Sequence, residues 1–119
     1  MRYAILIYEK EADFSARTDE ADRERYWAAW RAYSAALTAA GVTRSGAALQ
    51  SGGTGTTVRM NGNARQVQDG PYADTKEQLG GFILIDVPDL DTALDWAARC
   101  PAAAYGAVEV RPVFEDRMN

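Results

Sequence analysis

The sequence has 119 residues, of which 47% are hydrophobic and 25% are charged, and this size and composition predict one globular domain over residues 1–119. Its net charge of −4 argues against a nucleic-acid-binding surface, and its single cysteine, Cys100, excludes an intramolecular disulfide. Because the sequence contains no histidine, a Ser-His-Asp triad and a histidine-ligated zinc site are excluded, and we expect neither a metal nor another cofactor.

The chain begins with a short apolar segment. Residues 3–8, Tyr-Ala-Ile-Leu-Ile-Tyr, predict a strand that is buried on both faces and therefore central in a sheet. The run is too short for a signal peptide or a membrane span, so we expect a cytoplasmic protein that does not associate with membranes. Residues 9–17 are polar and irregular, which predicts a loop.

A long helix is predicted next, over residues 19–40. Thr18 or Asp19 can cap its first turn, and the acidic residues that follow suit the positive end of the helix dipole. Gly41 is a typical residue for the end of a helix. One apolar stripe runs along the predicted helix and consists of Tyr26, Trp30, Tyr33, Leu37 and Ala40.

The middle of the chain predicts shorter β elements. Residues 42–49 are a weak strand candidate, and the glycine-rich residues 51–55 follow as a flexible break. Residues 56–60 and 65–68 are β-prone and flank Asn-Gly-Asn at positions 61–63. An Asn-Gly pair between two such runs predicts a hairpin, with a loop that can exceed two residues here.

The second continuously apolar strand is predicted over residues 81–87. The glycine pair Gly80-Gly81 at its start indicates a bulge or a close backbone approach. Asp89 can cap a following helix that ends near Arg99. The apolar face of that helix is predicted to consist of Leu90, Leu94 and Ala97.

The order of the predicted elements is β-α-β-hairpin-β-α-β. The last strand, over residues 107–113, alternates apolar and polar side chains, and Pro112 predicts that it lies at a sheet edge. The two most apolar strands are those that a ferredoxin-like sheet places at its centre. We therefore predict an α+β, ferredoxin-like βαββαβ fold with an inserted β-hairpin.

The two central strands have apolar residues on both faces. Two helices can cover only one face of a four-stranded sheet, and an uncovered apolar face exceeds what monomers usually expose. The sequence therefore predicts a homodimer formed through the open face. Leu6 and Leu84 contact the partner if they lie on that face, or the helices if they lie on the other.

Residues 69–82 carry a distinctive motif, Asp-Gly-Pro-Tyr-Ala-Asp-Thr-Lys-Glu-Gln-Leu-Gly-Gly-Phe. It resembles the signature of the DGPF-domain proteins, which are related to the YCII-like proteins, and residues 3–8, 97–101 and 108–112 extend the resemblance. The resemblance implies a ferredoxin-like domain that forms a dimeric α/β barrel, in a family that is largely of unknown function. Members of that family often lie beside extracytoplasmic-function sigma factors, which implies a regulatory context.

Five residues are candidates for a functional site. Asp69 is the catalytic candidate, although an Asp before Gly-Pro can equally serve as a structural turn that hydrogen-bonds its own backbone. The candidate ligand-binding residues are Tyr8, Trp30, Tyr72 and Lys76. YCII-like relatives are proposed to use a His-Asp pair, and Trp30 stands near the position where the family often carries a histidine.

Two functions stay open at this point. One is a small-molecule-binding protein, enzyme or not, whose cleft lies near the Asp-Gly-Pro turn. The other is a non-catalytic accessory or regulatory module that acts through protein partners in a sigma-factor-linked context. The polar turn beside apolar strands favours the first function, whereas the missing histidine and the presence of Trp30 favour the second.

Overall fold

The computed structural model describes residues 1–115, which form a four-stranded sheet, a separate hairpin and four helices. Strand β1 (Arg2–Glu9) lies centrally in the sheet, as predicted. Helix α1 (Glu11–Ala16) follows where the sequence predicted a loop. That prediction was wrong because a capping contact and the burial of Phe14 together hold the helix. The Asp13 carboxylate accepts a 2.9 Å hydrogen bond from the backbone N–H of Lys10, and the side chain of Phe14 is buried.

Helix α2 (Arg23–Ala40) begins later than predicted. The Asp19 carboxylate accepts a 2.9 Å hydrogen bond from the backbone N–H of Ala21, which stabilises a turn in place of the first helical residues. Gly41 ends the helix in the left-handed conformation, with a φ of 71°. The predicted stripe is buried at Tyr33 and Leu37, half-buried at Tyr26 and Trp30, and exposed at Ala40.

The hairpin prediction is confirmed. Strand β2 (Thr43–Ala48) joins the main sheet, and a 3₁₀ turn at Gly52–Thr54 follows it. Strands β3 (Thr56–Asn61) and β4 (Ala64–Asp69) then form a two-stranded sheet of their own. Because Asn61 pairs with Ala64, the connecting loop has only two residues.

The last elements are strand β5 (Gln78–Asp86), helix α3 (Leu90–Arg99), the short helix α4 (Ala102–Tyr105) and edge strand β6 (Ala107–Pro112). Asp89 caps α3 as predicted, because its carboxylate accepts a 2.8 Å hydrogen bond from the Thr92 N–H. The predicted apolar face of α3 was partly wrong. Leu90 and Leu94 are 47% and 46% exposed, and the buried residues of this helix are Ala93 and Ala97.

The sheet has the strand order β2-β5-β1-β6, and each neighbouring pair is antiparallel. This arrangement agrees with the predicted ferredoxin-like fold. The predicted bulge lies at Gly80, because Ile7 pairs with Gly81 while Tyr8 pairs with Leu79. A Cβ at Gly80 would lie 2.6 Å from Oε1 of Glu9, so only glycine brings the β5 backbone this close to the end of β1.

One face of the sheet holds the core and the other is open. The core side buries Tyr3, Ile5 and Ile85 together with Leu37 of α2 and Ala93 of α3. Within residues 1–115, no helix has the length and apolar character needed to cross a membrane.

The open side of the sheet carries the alternate residues of the same strands. Ala4 pairs with Leu84 and Leu6 with Phe82, so these four side chains share that face, away from the helices. The described residues measure 48 × 47 × 18 Å with a radius of gyration of 16.2 Å, whereas a compact chain of this length has about 13.5 Å. The described part of the chain is therefore flat rather than spherical, with helices on one face of the main sheet only.

Candidate functional site

A cavity of about 430 Å³ lies between α2 and the strands β2 and β5. Its helix wall is aromatic and includes Trp27, Trp30 and Tyr33. Pairing with β5 places Thr43, Gly46 and Ala48 of β2 on the side of the sheet that faces α2. Because large aromatic side chains on the helix face small side chains on the strand, space is left between them.

One end of the cavity is formed by a buried carboxylate. Glu9, the last residue of β1, is 1% exposed. Its Oε2 atom accepts hydrogen bonds of 2.7 Å from the Tyr26 hydroxyl and 2.6 Å from the Tyr105 hydroxyl. Its Oε1 atom lies 3.0 Å from Nη2 of Arg17. The charge of Glu9 is therefore both paired and hydrogen-bonded, as burial requires.

Arg17 links this carboxylate to the neighbouring backbone. Its guanidinium donates to the carbonyl oxygens of Gly80, at 3.1 Å, and of Leu49, and its Nε donates to the Tyr26 hydroxyl at 3.2 Å. The guanidinium carbon also lies 4.7 Å from the centre of the Phe14 ring. Arg17 thus joins the end of α1 to strand β5 and to the segment after β2.

The protonation states follow from burial and from these bonds. Burial, and then the hydrogen bond to Glu9, raise the pKa of Tyr26 to about 12, and the same two causes raise the pKa of Tyr105 strongly. Burial alone would lower the pKa of Arg17, but its hydrogen bonds to Tyr26 and Glu9 raise it. At neutral pH both tyrosines are therefore hydroxyl donors and Arg17 is a cation.

Two tryptophans connect this network to the cavity wall. The Trp30 indole N–H donates a 3.3 Å hydrogen bond to the Tyr105 hydroxyl, and its ring makes an edge contact with Tyr33 at 6.2 Å. The Trp27 indole N–H donates a 2.9 Å bond to the Arg17 carbonyl oxygen. Of the candidate ligand-binding residues predicted from the sequence, Trp30 alone lines this cavity.

The other candidate residues lie elsewhere. Tyr8 is on the open side of the sheet, where its hydroxyl donates a 3.2 Å hydrogen bond to Glu109. Tyr8 and Tyr72 line a second groove, of about 520 Å³, and Lys76 lines a third, of about 490 Å³. Asp69 is exposed at the end of β4 and lines none of these three. The five residues therefore do not converge on one site.

The predicted turn at Asp69 is only partly correct. Gly70 has a φ of 102°, a conformation that glycine adopts readily. Within residues 1–115, however, the Asp69 carboxylate forms no hydrogen bond, so the expected bond to its own turn is absent. The turn is held instead by the Gly70 N–H, which donates a 2.7 Å bond to the Gly55 carbonyl, and by Thr57, which donates to the Gly70 carbonyl at 2.9 Å.

Sequence reasoning missed Glu9, Arg17, Tyr26 and Tyr105 as site residues. One signal could have identified Glu9, because it continues the alternation of Tyr3, Ile5 and Ile7 along the strand and so must lie on their face. Cys100 is buried, and burial raises the pKa of its thiol to about 11. Residues 1–115 contain no cluster of three or more acidic, cysteine or histidine side chains suited to a metal ion.

Comparison with known proteins identifies the family. The model of the YCII-related domain matches residues 1–117. The chain belongs to the YCII-related family. This YCII-related chain is 40% identical over 115 residues to the uncharacterized protein R00369 of Rhizobium meliloti (strain 1021), a match that covers 95% of this chain and 92% of that protein.

A solved structure supports the fold of this YCII-related chain. It is 5-chloro-2-hydroxyhydroquinone dehydrochlorinase from Burkholderia phenoliruptrix AC1100, in complex with 2,5-dihydroxybenzoquinone. The two proteins are 16% identical and superpose with a TM-score of 0.56 over 100% of this chain and 99% of the other. At this identity the likeness establishes a common fold.

Proposed function

We propose that this YCII-related protein binds a small molecule in the cavity beneath α2. The observation that carries the proposal is a cavity of about 430 Å³ with an aromatic wall and a buried charged network at one end, which is the usual composition of a ligand site. The fold is compatible with such a role, because the dehydrochlorinase of the same fold was solved with a quinone.

The network at the end of the cavity supports this role because it is already complete. No side-chain nitrogen or oxygen buried within residues 1–115 lacks a hydrogen-bond partner. Glu9, Arg17 and the tyrosines are therefore held in place before a ligand arrives. Binding then costs little reorganisation of the protein.

The experiment is a thermal-shift screen with small aromatic molecules on the wild type and on Ala48→Phe. Ala48 lines the cavity from an edge strand, so a phenyl group there fills the space. Ala64→Phe, on the exposed hairpin strand β4, is the matched control. A ligand at 100 times its Kd adds about 2.7 kcal/mol of stability. We expect this gain in the wild type and in Ala64→Phe only, and equal gains in all three proteins would contradict the proposal.

A second candidate is the groove near the Asp-Gly-Pro turn. It is favoured by Tyr8 and Tyr72, which line the same groove with Pro71. Asp69 and Lys76 would act from its border, with Asp69 as the catalytic candidate. Tyr72→Ala and Asp69→Asn test this site: a ligand that still raises the melting temperature of both variants, and fails with Ala48→Phe, binds in the α2 cavity instead.

We also propose that two copies pair through the open face of the sheet as a dimeric α/β barrel. The support is the apolar set Ala4, Leu6, Phe82 and Leu84, which lies on the face away from the helices and is only half-buried. Covering that face with the same face of a second copy would remove the patch from water and give a closed dimer. The proposed location of the dimer is the cytoplasm.

The alternative function is a non-catalytic accessory module that acts through protein partners, in a sigma-factor-linked context. The absence of histidine from the sequence favours it, since a His-Asp pair cannot form. A screen in which no compound raises the melting temperature of the wild type would favour this module over a small-molecule-binding protein.

A further inference from the structure

The cavity between α2 and the strands β2 and β5, called the α2 cavity below, is lined by more positive than negative side chains. Three charged side chains line it, namely Glu9, Arg17 and Arg31. Glu9 and Arg17 neutralise each other through their 3.0 Å ion pair. Arg31 lies exposed on α2 and, within residues 1–115, has no carboxylate partner within ion-pair distance. The cavity therefore carries one unbalanced positive charge, although the protein as a whole has a net charge of −4.

The other cation of the cavity is already engaged. Arg17 donates to Glu9, to the Tyr26 hydroxyl and to two backbone carbonyls, and these bonds occupy four of its five N–H groups. A ligand anion that displaced Glu9 would leave a buried carboxylate without its partner, which is unfavourable. Of the two arginines that line the cavity, Arg31 is thus the one available to a ligand.

The cavity walls favour a flat ring. Trp27, Trp30 and Tyr33 form the wall on α2, while Gly81 and Ile83 of β5 lie opposite. Aromatic faces and edges attract a second ring more strongly than their buried area alone accounts for. The volume, about 430 Å³, lies in the lower part of the range for small-molecule sites.

We infer that the ligand is a monoanionic aromatic molecule, with its ring between α2 and β5 and its acidic group at Arg31. This inference rests on the function proposed above and adds the chemical class of the ligand. A cation would be repelled by Arg31, a neutral molecule would leave it unused, and a dianion would find no second free cation. Carboxylate and phenolate groups share this chemistry, because both present one negative charge at the edge of a ring.

The test uses two probes of nearly the same size and shape, the anion 2-naphthoate and the neutral 2-naphthamide. Two of the three tryptophans, Trp27 and Trp30, line the cavity, so quenching of tryptophan fluorescence reports binding. We expect the wild type to bind the carboxylate about two- to fivefold more tightly than the amide. Arg31→Gln should remove this preference and leave the affinity for the amide unchanged. Arg23→Gln, also exposed on α2 but outside the cavity, should retain it.

The outcomes separate the ligand class from the proposed function. If the wild type binds both probes equally, or if Arg31→Gln keeps the preference, the inferred class is wrong while the cavity remains a binding site. If neither probe binds the wild type at millimolar concentration, the inferred ligand class is wrong, and so is the proposal that aromatic molecules bind in the α2 cavity. Raising the ionic strength is a second readout, because it should weaken binding of the carboxylate alone.

Discussion

Tyr105 and Glu9 are 96 residues apart in the chain, and the Tyr105 hydroxyl donates a 2.6 Å hydrogen bond to Oε2 of Glu9. Tyr26 donates to the same oxygen atom. Helix α2, helix α4 and the end of β1 therefore meet at one carboxylate. Glu9 consequently ties helix α4 to the strand and the helix that line one end of the cavity.

Replacing Glu9 by glutamine tests this arrangement. Glu9→Gln removes the partner of the Arg17 guanidinium and turns an NH₂ group toward donors, so we expect a loss of about 3 kcal/mol in the free energy of unfolding. Glu20→Gln changes an exposed carboxylate and should leave that free energy within about 0.5 kcal/mol of the wild type. Urea denaturation measures both, and an unchanged midpoint for Glu9→Gln would contradict the role assigned to its charge.

The raised pKa of Tyr26 predicts how stability depends on pH. Its pKa is about 12 in the folded protein, against 10.0 ordinarily, so above pH 10 the unfolded chain releases its proton first. Stability from this group is therefore fully present below pH 10 and is lost as the pH rises toward 12. Tyr26→Phe should make this decline in urea midpoints shallower between pH 10 and pH 12. The same change at exposed Tyr72 should retain the wild-type slope, and identical slopes for all three proteins would exclude the effect.

The open face of the sheet predicts opposite results for adjacent residues of β5. Leu84 faces away from the helices, whereas Ile85 is buried in the core. We expect the Leu84→Glu variant to remain folded but to be a monomer of 13.0 kDa, whereas the wild type has twice that mass. Ile85→Glu should unfold the chain, because it buries an unpaired charge. Light scattering and circular dichroism measure the two effects, and a wild-type mass of one chain would argue against the dimer.

The bulge at Gly80 predicts that even a methyl group is harmful there. The added Cβ would lie 2.6 Å from Oε1 of Glu9 and 3.2 Å from the Phe14 ring. We expect Gly80→Ala to lose about 1–3 kcal/mol of stability. At Gly53 a Cβ would meet no atom within 4 Å, so Gly53→Ala is the matched control and should be close to neutral. Equal unfolding midpoints for the two variants would contradict the close approach.

Much of the fold could be predicted because its signals are local. Long apolar runs marked the two central strands, and Gly41, Asp89 and Pro112 marked ends and an edge. Helix α1 could not be predicted in this way. Its stability depends on Phe14, whose burial requires strand β5 to lie beside it.

The candidate site was harder to predict, because its residues come from separate elements. Tyr8 and Glu9 are neighbours in the sequence but lie on opposite faces of β1. The candidate ligand-binding residue Tyr8 therefore lies on the opposite side of the strand from the α2 cavity. The position of Trp30 in a helical stripe could be predicted because such a stripe is a local pattern, whereas the contact of Tyr105 with Glu9 is visible only in three dimensions.

In the proposed function, the small side chains of β2 would separate the ligand specificity of the cavity from the stability of the fold. Thr43 and Ala48 face the cavity from an edge strand in which every residue is exposed, so enlarging either one would narrow the cavity without disturbing the core. A duplicated gene could in this way acquire a different ligand through one or two substitutions in β2, while the network around Glu9 stays intact. Changes in ligand specificity during evolution would then be concentrated in one edge strand.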